Sequence, residues 1–106
     1  MFKKLFFKFD DYKLERFQIE NLSTSIVPFT FYSLDPLPEL DKLLIKSVRY
    51  AEDPISELEK KVFNKKSPVV FVCKNSKKSK KILMRAIEQG YQNAYFVDGG
   101  FKSIEK

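Results

Sequence analysis

The chain contains one cysteine, Cys73, and no histidine. Those two counts decide which chemistry is open to it. A lone cysteine cannot close an internal disulfide. A Cys/His zinc site, a CxxC redox pair and a cysteine activated by an imidazole are excluded together. No resident metal or cofactor is expected. If Cys73 reacts, its thiolate has to be favoured by backbone dipoles and by lysines. The residues that follow are suited to this. Cys73 opens the polar stretch Lys74-Asn75-Ser76-Lys77-Lys78, and Ser79 begins a helical pattern. A loop in that place can curl so that its N–H groups face the sulfur, and the helix dipole adds partial positive charge. Lys74, Lys77 and Lys78 add formal charge nearby, and every one of these contributions favours thiolate over thiol. The same cradle would hold an anion. The plain alternative is a buried, inert cysteine at a strand end, since free cysteine is among the most buried residue types.

The elements that must position Cys73 are clearest in the last third of the chain. Pro68-Val69-Val70-Phe71-Val72 is a short apolar run, the kind of strand buried on both faces of a parallel sheet. Ser79–Gln89 is expected to be a helix, with Ile82, Leu83, Ala86 and Ile87 inward, lysines outward and Gly90 at its end. Ala94–Val97 reads as the next strand and Asp98-Gly99-Gly100 as the turn after it. Strand, helix, strand in this order is a βαβ unit with a parallel pair and a right-handed crossover. Ligands of open α/β sheets sit at the carboxyl ends of strands, and Cys73 falls at such an end.

Earlier segments are less regular. Asp53-Pro54 marks a helix start, with Asp53 as N-cap and Pro54 in the first turn. Ile55, Leu58 and Val62 follow at helical spacing, and the helix is expected to give way at Asn64–Ser67. Ile26–Leu34 reads as a strand starting near Pro28, and Leu37–Ile45 as a short helix with Leu40, Leu43 and Leu44 on one face. Asp11–Glu20 is compatible with a helix but poorly patterned. Met1–Phe9 could be an edge strand or a lysine-studded amphipathic start; Lys8, Asp10 and Asp11 cut its apolar run short of a signal peptide. Asp35 and Asp98 read as turn residues.

The 106 residues suit one domain, taken as residues 1–106, and 43% hydrophobic with 32% charged residues is a globular profile. No apolar run approaches transmembrane length, so no membrane partner is expected and a cytoplasmic location is. The net charge of +6 reads as a lysine-rich solvated surface. No nucleic-acid-binding signature accompanies it, so a nucleic-acid partner is not expected.

Val69–Phe101 resembles the C-terminal half of a rhodanese-like domain. The shared features are a hydrophobic strand, a cysteine, a short basic loop ending in Ser, a helix, and the stretch Gly90-Tyr91-Gln92-Asn93-Ala94-Tyr95-Phe96-Val97-Asp98-Gly99-Gly100 before the aromatic Phe101. In the loop, Lys74 replaces the usual Arg and Ser76 the usual Gly. Ser33-Leu34-Asp35 and Leu43–Val48 lie where the family carries its earlier motifs and match them poorly, so the front half is divergent. The resemblance implies an α/β fold, a small, mostly parallel sheet with helices on both faces. It also implies a sulfurtransferase or persulfide carrier in which Cys73 is the nucleophile and Lys74, Asn75, Ser76, Lys77, Lys78 and Ser79 form the substrate-binding loop. Partners would be a small sulfur-donor anion such as thiosulfate, or a protein that donates or accepts sulfur. The divergent front half keeps open a second expectation, a catalytically weak or inactive binding or regulatory module on the same fold. A cysteine phosphatase would need Arg six positions after the cysteine, where Ser79 stands.

Overall fold

The computed structural model of the chain describes residues 8–24, 29–37, 39–45, 47–74 and 77–106. Within them lie five strands: β1 (Lys13–Leu14), β2 (Thr30–Ser33), β3 (Arg49–Tyr50), β4 (Val69–Val72) and β5 (Ala94–Val97). Three α-helices accompany them: α1 (Arg16–Ser23), α2 (Pro54–Lys60) and α3 (Lys77–Glu88). The strands form one sheet in the order β1-β5-β4-β2-β3, and every pairing is parallel. β4 is thus central, paired along its length with β2 and with β5.

The centre of the sheet explains its own composition. Val69, Val70, Phe71 and Val72 are all fully buried. Val69 and Phe71 pack with Leu58 of α2 and with Leu83 and Ala86 of α3. Val70 and Val72 pack on the opposite face with Ile19 of α1, Leu43 and Ile104. Alternating residues therefore serve two cores, which is why the run is apolar throughout. Burying each of these side chains stabilises the fold by roughly 1.5–3 kcal/mol relative to leaving it exposed. Helices cover both faces, as the sequence implies.

Several local expectations hold closely. β5 spans Ala94–Val97 as read, and Asp53 caps α2, its carboxylate accepting the Ser56 N–H at 3.2 Å. Helix α3 begins at Lys77, two residues before the expected start, and Leu83 and Ala86 are buried while Ile82 and Ile87 are partly so. Gly90 follows it with φ of 95°.

Others are corrected. The described residues of Leu37–Ile45 form no α-helix: they hold a 3-10 turn, Leu40–Lys42, and Leu43 instead bridges to Glu105 in the C-terminal segment. α2 stops at Lys60, well before Asn64, and Val62 is left 87% exposed. The Phe63 N–H bonds to the Leu58 carbonyl and the Val62 N–H to that of Glu59, the paired contacts that end a helix on a left-handed residue. Val62, at φ of 52°, occupies that position. Asp11–Glu20 divides into a 3-10 turn, strand β1 and the start of α1, where the Gln18 side chain accepts the Glu15 N–H at 2.8 Å. β2 begins at Thr30; residues 25–28, which include the expected start at Pro28, and residues 1–7 of the Met1–Phe9 segment lie outside the described residues. No helix among the described residues is long and apolar enough to cross a membrane.

Candidate active site

Three strand ends converge at the carboxyl edge of the sheet. Cys73 follows β4, Leu34-Asp35 follows the neighbouring β2, and Gly99-Gly100 follows β5. The N-terminus of α3 closes the fourth side. β2 and β4 are paired so that Ser33 lies opposite Val72, which brings Asp35 level with the start of the cysteine loop.

The sulfur sits beneath the first turn of α3. Cys73 and Ser79 are both fully buried. The Ser79 backbone N–H points at Sγ at 3.4 Å, and the Ser79 hydroxyl lies 3.3 Å from Sγ. Ser79 is the third residue of α3, in the first turn where backbone N–H groups reach outside the helix for acceptors, and here the acceptor is Sγ. With the thiol, Cys73 donates to Oγ. With a thiolate, the hydroxyl can turn and donate, so that two donors from one residue face the charge.

The loop is held by Asp35, a residue the sequence marks only as part of a turn. One carboxylate oxygen of Asp35 accepts the Lys74 N–H at 3.0 Å, and the other binds the Lys78 ammonium at 2.5 Å. The Asp35 side chain is only 11% exposed. The Lys78 ammonium, then the Lys74 N–H, hold the Asp35 carboxyl below its ordinary range despite that burial, and Asp35 in turn raises the pKa of Lys78. Asp35 is itself oriented by Ser33, whose buried hydroxyl bonds to the Asp35 carbonyl and accepts the Asp35 N–H. This carboxylate clamp is the functional feature that sequence reasoning missed. Asp35 lies 39 and 43 positions before its two partners, so no local pattern announces it.

Gly100 explains the second half of the loop's packing. Its φ is 67°, and a Cβ placed there would collide with the carbonyl oxygens of Cys73 and Lys74. The turn after β5 thus lies directly on the cysteine loop, and only glycine permits the approach.

Of the residues singled out from the sequence, Cys73 and Ser79 are in direct contact, and Lys74 and Lys78 are joined through Asp35. Lys77 is exposed on the first turn of α3. Asn75 and Ser76 lie outside the described residues. Lys78, one of the lysines expected to add positive charge near the sulfur, is engaged by Asp35. Among the described residues no group of His, Cys, Asp and Glu could hold a metal ion.

A cleft of about 510 Å³ opens beside the loop, where Asp35 and Lys78 form part of its wall together with Leu34, Tyr50, Lys81 and Ile82. Burial raises the Tyr50 phenol's pKa, and the Glu52 carboxylate, which accepts its hydrogen bond at 3.2 Å, adds to that shift.

A search of the curated proteins returned no match. The family model of the rhodanese-like domain matches residues 34–106. That span runs from the end of β2, just before Asp35, through the cysteine loop to the last residue, and takes in more than half of the chain. With a five-stranded parallel sheet, helices on both faces and a cysteine at the carboxyl end of the central strand, the chain belongs to the rhodanese-like domain family.

Proposed function

We propose that this protein carries sulfane sulfur as a persulfide on Cys73, as a single domain of residues 1–106 acting in the cytoplasm. The observation that supports this most directly is the aim of the Ser79 N–H and hydroxyl at Sγ under the start of α3. Such preorganised donors stabilise charge on sulfur without reorganisation during the reaction. Lys74, Lys77 and Lys78, with the loop amides of Asn75 and Ser76, would serve the incoming anion.

The steps follow from the residues present. Cys73 thiolate attacks the outer sulfur of a donor such as thiosulfate. A new S–S bond forms on Cys73, the S–S bond of the donor breaks, and sulfite leaves with the electron pair. A second nucleophile, such as cyanide, a small thiol or the cysteine of a partner protein, then takes the outer sulfur and restores the thiolate. No step needs a general base, so a chain without histidine can run both.

A second reading is a binding module without turnover. The complete burial of Cys73 favours it, since the residue is closed to solvent. Intact mass after incubation with thiosulfate, and separately with a cysteine desulfurase and cysteine, decides between them. A gain of one sulfur atom that dithiothreitol reverses and Cys73→Ala abolishes is the expected result. A folded protein with no gain under either condition would leave the binding module.

A further inference from the structure

The net charge of the chain comes from one stretch. Residues 60–87 hold ten of the twenty Lys and Arg and none of the fourteen Asp and Glu, so that this stretch carries +10 and the rest of the chain −4. Four of the ten, Lys60, Lys61, Lys65 and Lys66, crowd the end of α2 and the turn that leads to β4, and all four are exposed. Lys61 meets Glu57 at 4.0 Å and Lys65 meets Glu59 at 3.8 Å. Lys60 and Lys66 have no acidic partner among the described residues.

Val62 stands among these lysines. It is 87% exposed, and its φ of 52° is an outlier for a β-branched residue. The fold thus carries the strain and buries little of the side chain in return. The turn itself is firmly held. The Gln92 N–H donates to the Lys65 carbonyl at 2.8 Å, the Asn93 amide to that of Lys66 at 2.5 Å, and the Lys65 ammonium to that of Gln89 at 2.5 Å. Phe63 packs beneath, its ring centroid 6.4 Å from that of Tyr91. Strain at a well-held position that faces solvent points to a use outside the chain. A turn already held in place also loses little freedom on binding.

We propose that this turn docks an acidic surface of a partner protein, with Val62 entering an apolar hollow and Lys60 and Lys66 meeting carboxylates around it. An apolar anchor inside a polar rim is the anatomy of protein interfaces, and rim charges of opposite sign steer and orient the encounter. A membrane surface fits less well, because one valine offers far less apolar area than an interfacial helix. Nucleic acid fits less well because Phe63, the ring nearest the tip, is packed against the core and offers no face for a base to stack on. The turn leads into the amino end of β4 and Cys73 follows its other end, so the docking surface does not rest on the sulfur-carrier reading.

A short synthetic peptide of glutamates interrupted by leucines is the probe, with an all-glutamate peptide of equal charge beside it. Titrated into the full-length protein under 1H–15N NMR, the leucine-bearing peptide should give saturable shifts over residues 60–66 and bind more tightly than the other. Val62→Gly should weaken that binding about tenfold while raising the thermal midpoint, a pair of opposite signs that a purely structural valine does not produce. Lys60→Glu/Lys66→Glu should weaken it about tenfold or more. Lys42→Glu/Lys106→Glu, an equal change in net charge beside the core on the other face of the sheet, should weaken it by less than about twofold. Affinity untouched by Val62→Gly, or reduced equally by the two charge reversals, would overturn the docking site, as would a fall in the midpoint, which would give the valine a use within the chain. Tighter binding of oligo-dT or of phosphatidylserine vesicles than of the peptide at matched charge would overturn it in favour of nucleic acid or a membrane surface.

Discussion

At the sulfur, one residue supplies two donors of different kinds, and mutation can separate them. Ser79→Ala keeps the backbone N–H at 3.4 Å and removes the hydroxyl at 3.3 Å. If the hydroxyl stabilises charge on Sγ, the rate of persulfide formation should fall by on the order of 100-fold. A stopped-flow or quenched mass measurement checks this, and an unchanged rate would leave the hydroxyl a packing group. Asp35 makes a second prediction at the same scale. Its carboxyl is held below the ordinary value of about 3.9, first by Lys78 and then by the Lys74 N–H. A group lowered on folding contributes stability that is complete above the unfolded value and is lost as pH falls through the folded one. Asp35→Asn should therefore cost about 1 kcal/mol near neutrality, Lys78 being exposed and screened, and the gap from wild type should close below about pH 4. Urea denaturation across that range reads it directly. A gap that stays constant with pH would assign the effect to packing.

The elements differ in how firmly their ends are set. α2 starts on a capped Asp53 with proline in its first turn, and both features do what their chemistry predicts. Its other end is less well matched, because Val62, a β-branched residue, takes a left-handed conformation that glycine adopts at no steric cost. Val62→Gly should stabilise the protein by about 1 kcal/mol, offset in part by the greater freedom of the unfolded chain. A rise in the thermal midpoint checks this, and a fall would mean that the exposed valine contributes contacts the described residues do not reveal. α3 combines three duties along its length. Leu83 and Ala86 fix it to the sheet, while its first turn delivers the Ser79 N–H to the sulfur and a third face lines the cleft. A substitution that shifts this helix should therefore disturb the sulfur and the cleft together.

The whole molecule carries a net charge of +6, and the loop and α3 concentrate lysines beside the sulfur. For a dianion such as thiosulfate this favours encounter through the long-range field. The Debye length shortens from roughly 30 Å at 0.01 M salt to 10 Å at 0.1 M. The second-order rate of Cys73 persulfidation by thiosulfate should thus fall several-fold over that interval, while an uncharged donor should show little change. Equal salt dependence for both would place the effect in the fold and not in steering.

The sequence by itself determined the parts whose signals are local. The central strand is an uninterrupted apolar run because both of its faces are buried. The start of α2 is written in Asp53-Pro54, and β5, the helix after the loop and the cysteine's place at a strand end follow from periodicity over a dozen residues. Only the tertiary structure decided the rest. β1 and β3 are two residues each, too short to carry a period, and exist because longer neighbours offer them partners. Leu37–Ile45 has helical spacing but is drawn into a 3-10 turn and a bridge to the C-terminal segment, where contact with residues some sixty positions away outweighs a weak local preference. The Asp35 clamp and the pressure of Gly100 on the loop arise where separate strand ends meet. Each is a contact between distant positions, and such contacts leave no spacing in the sequence to read.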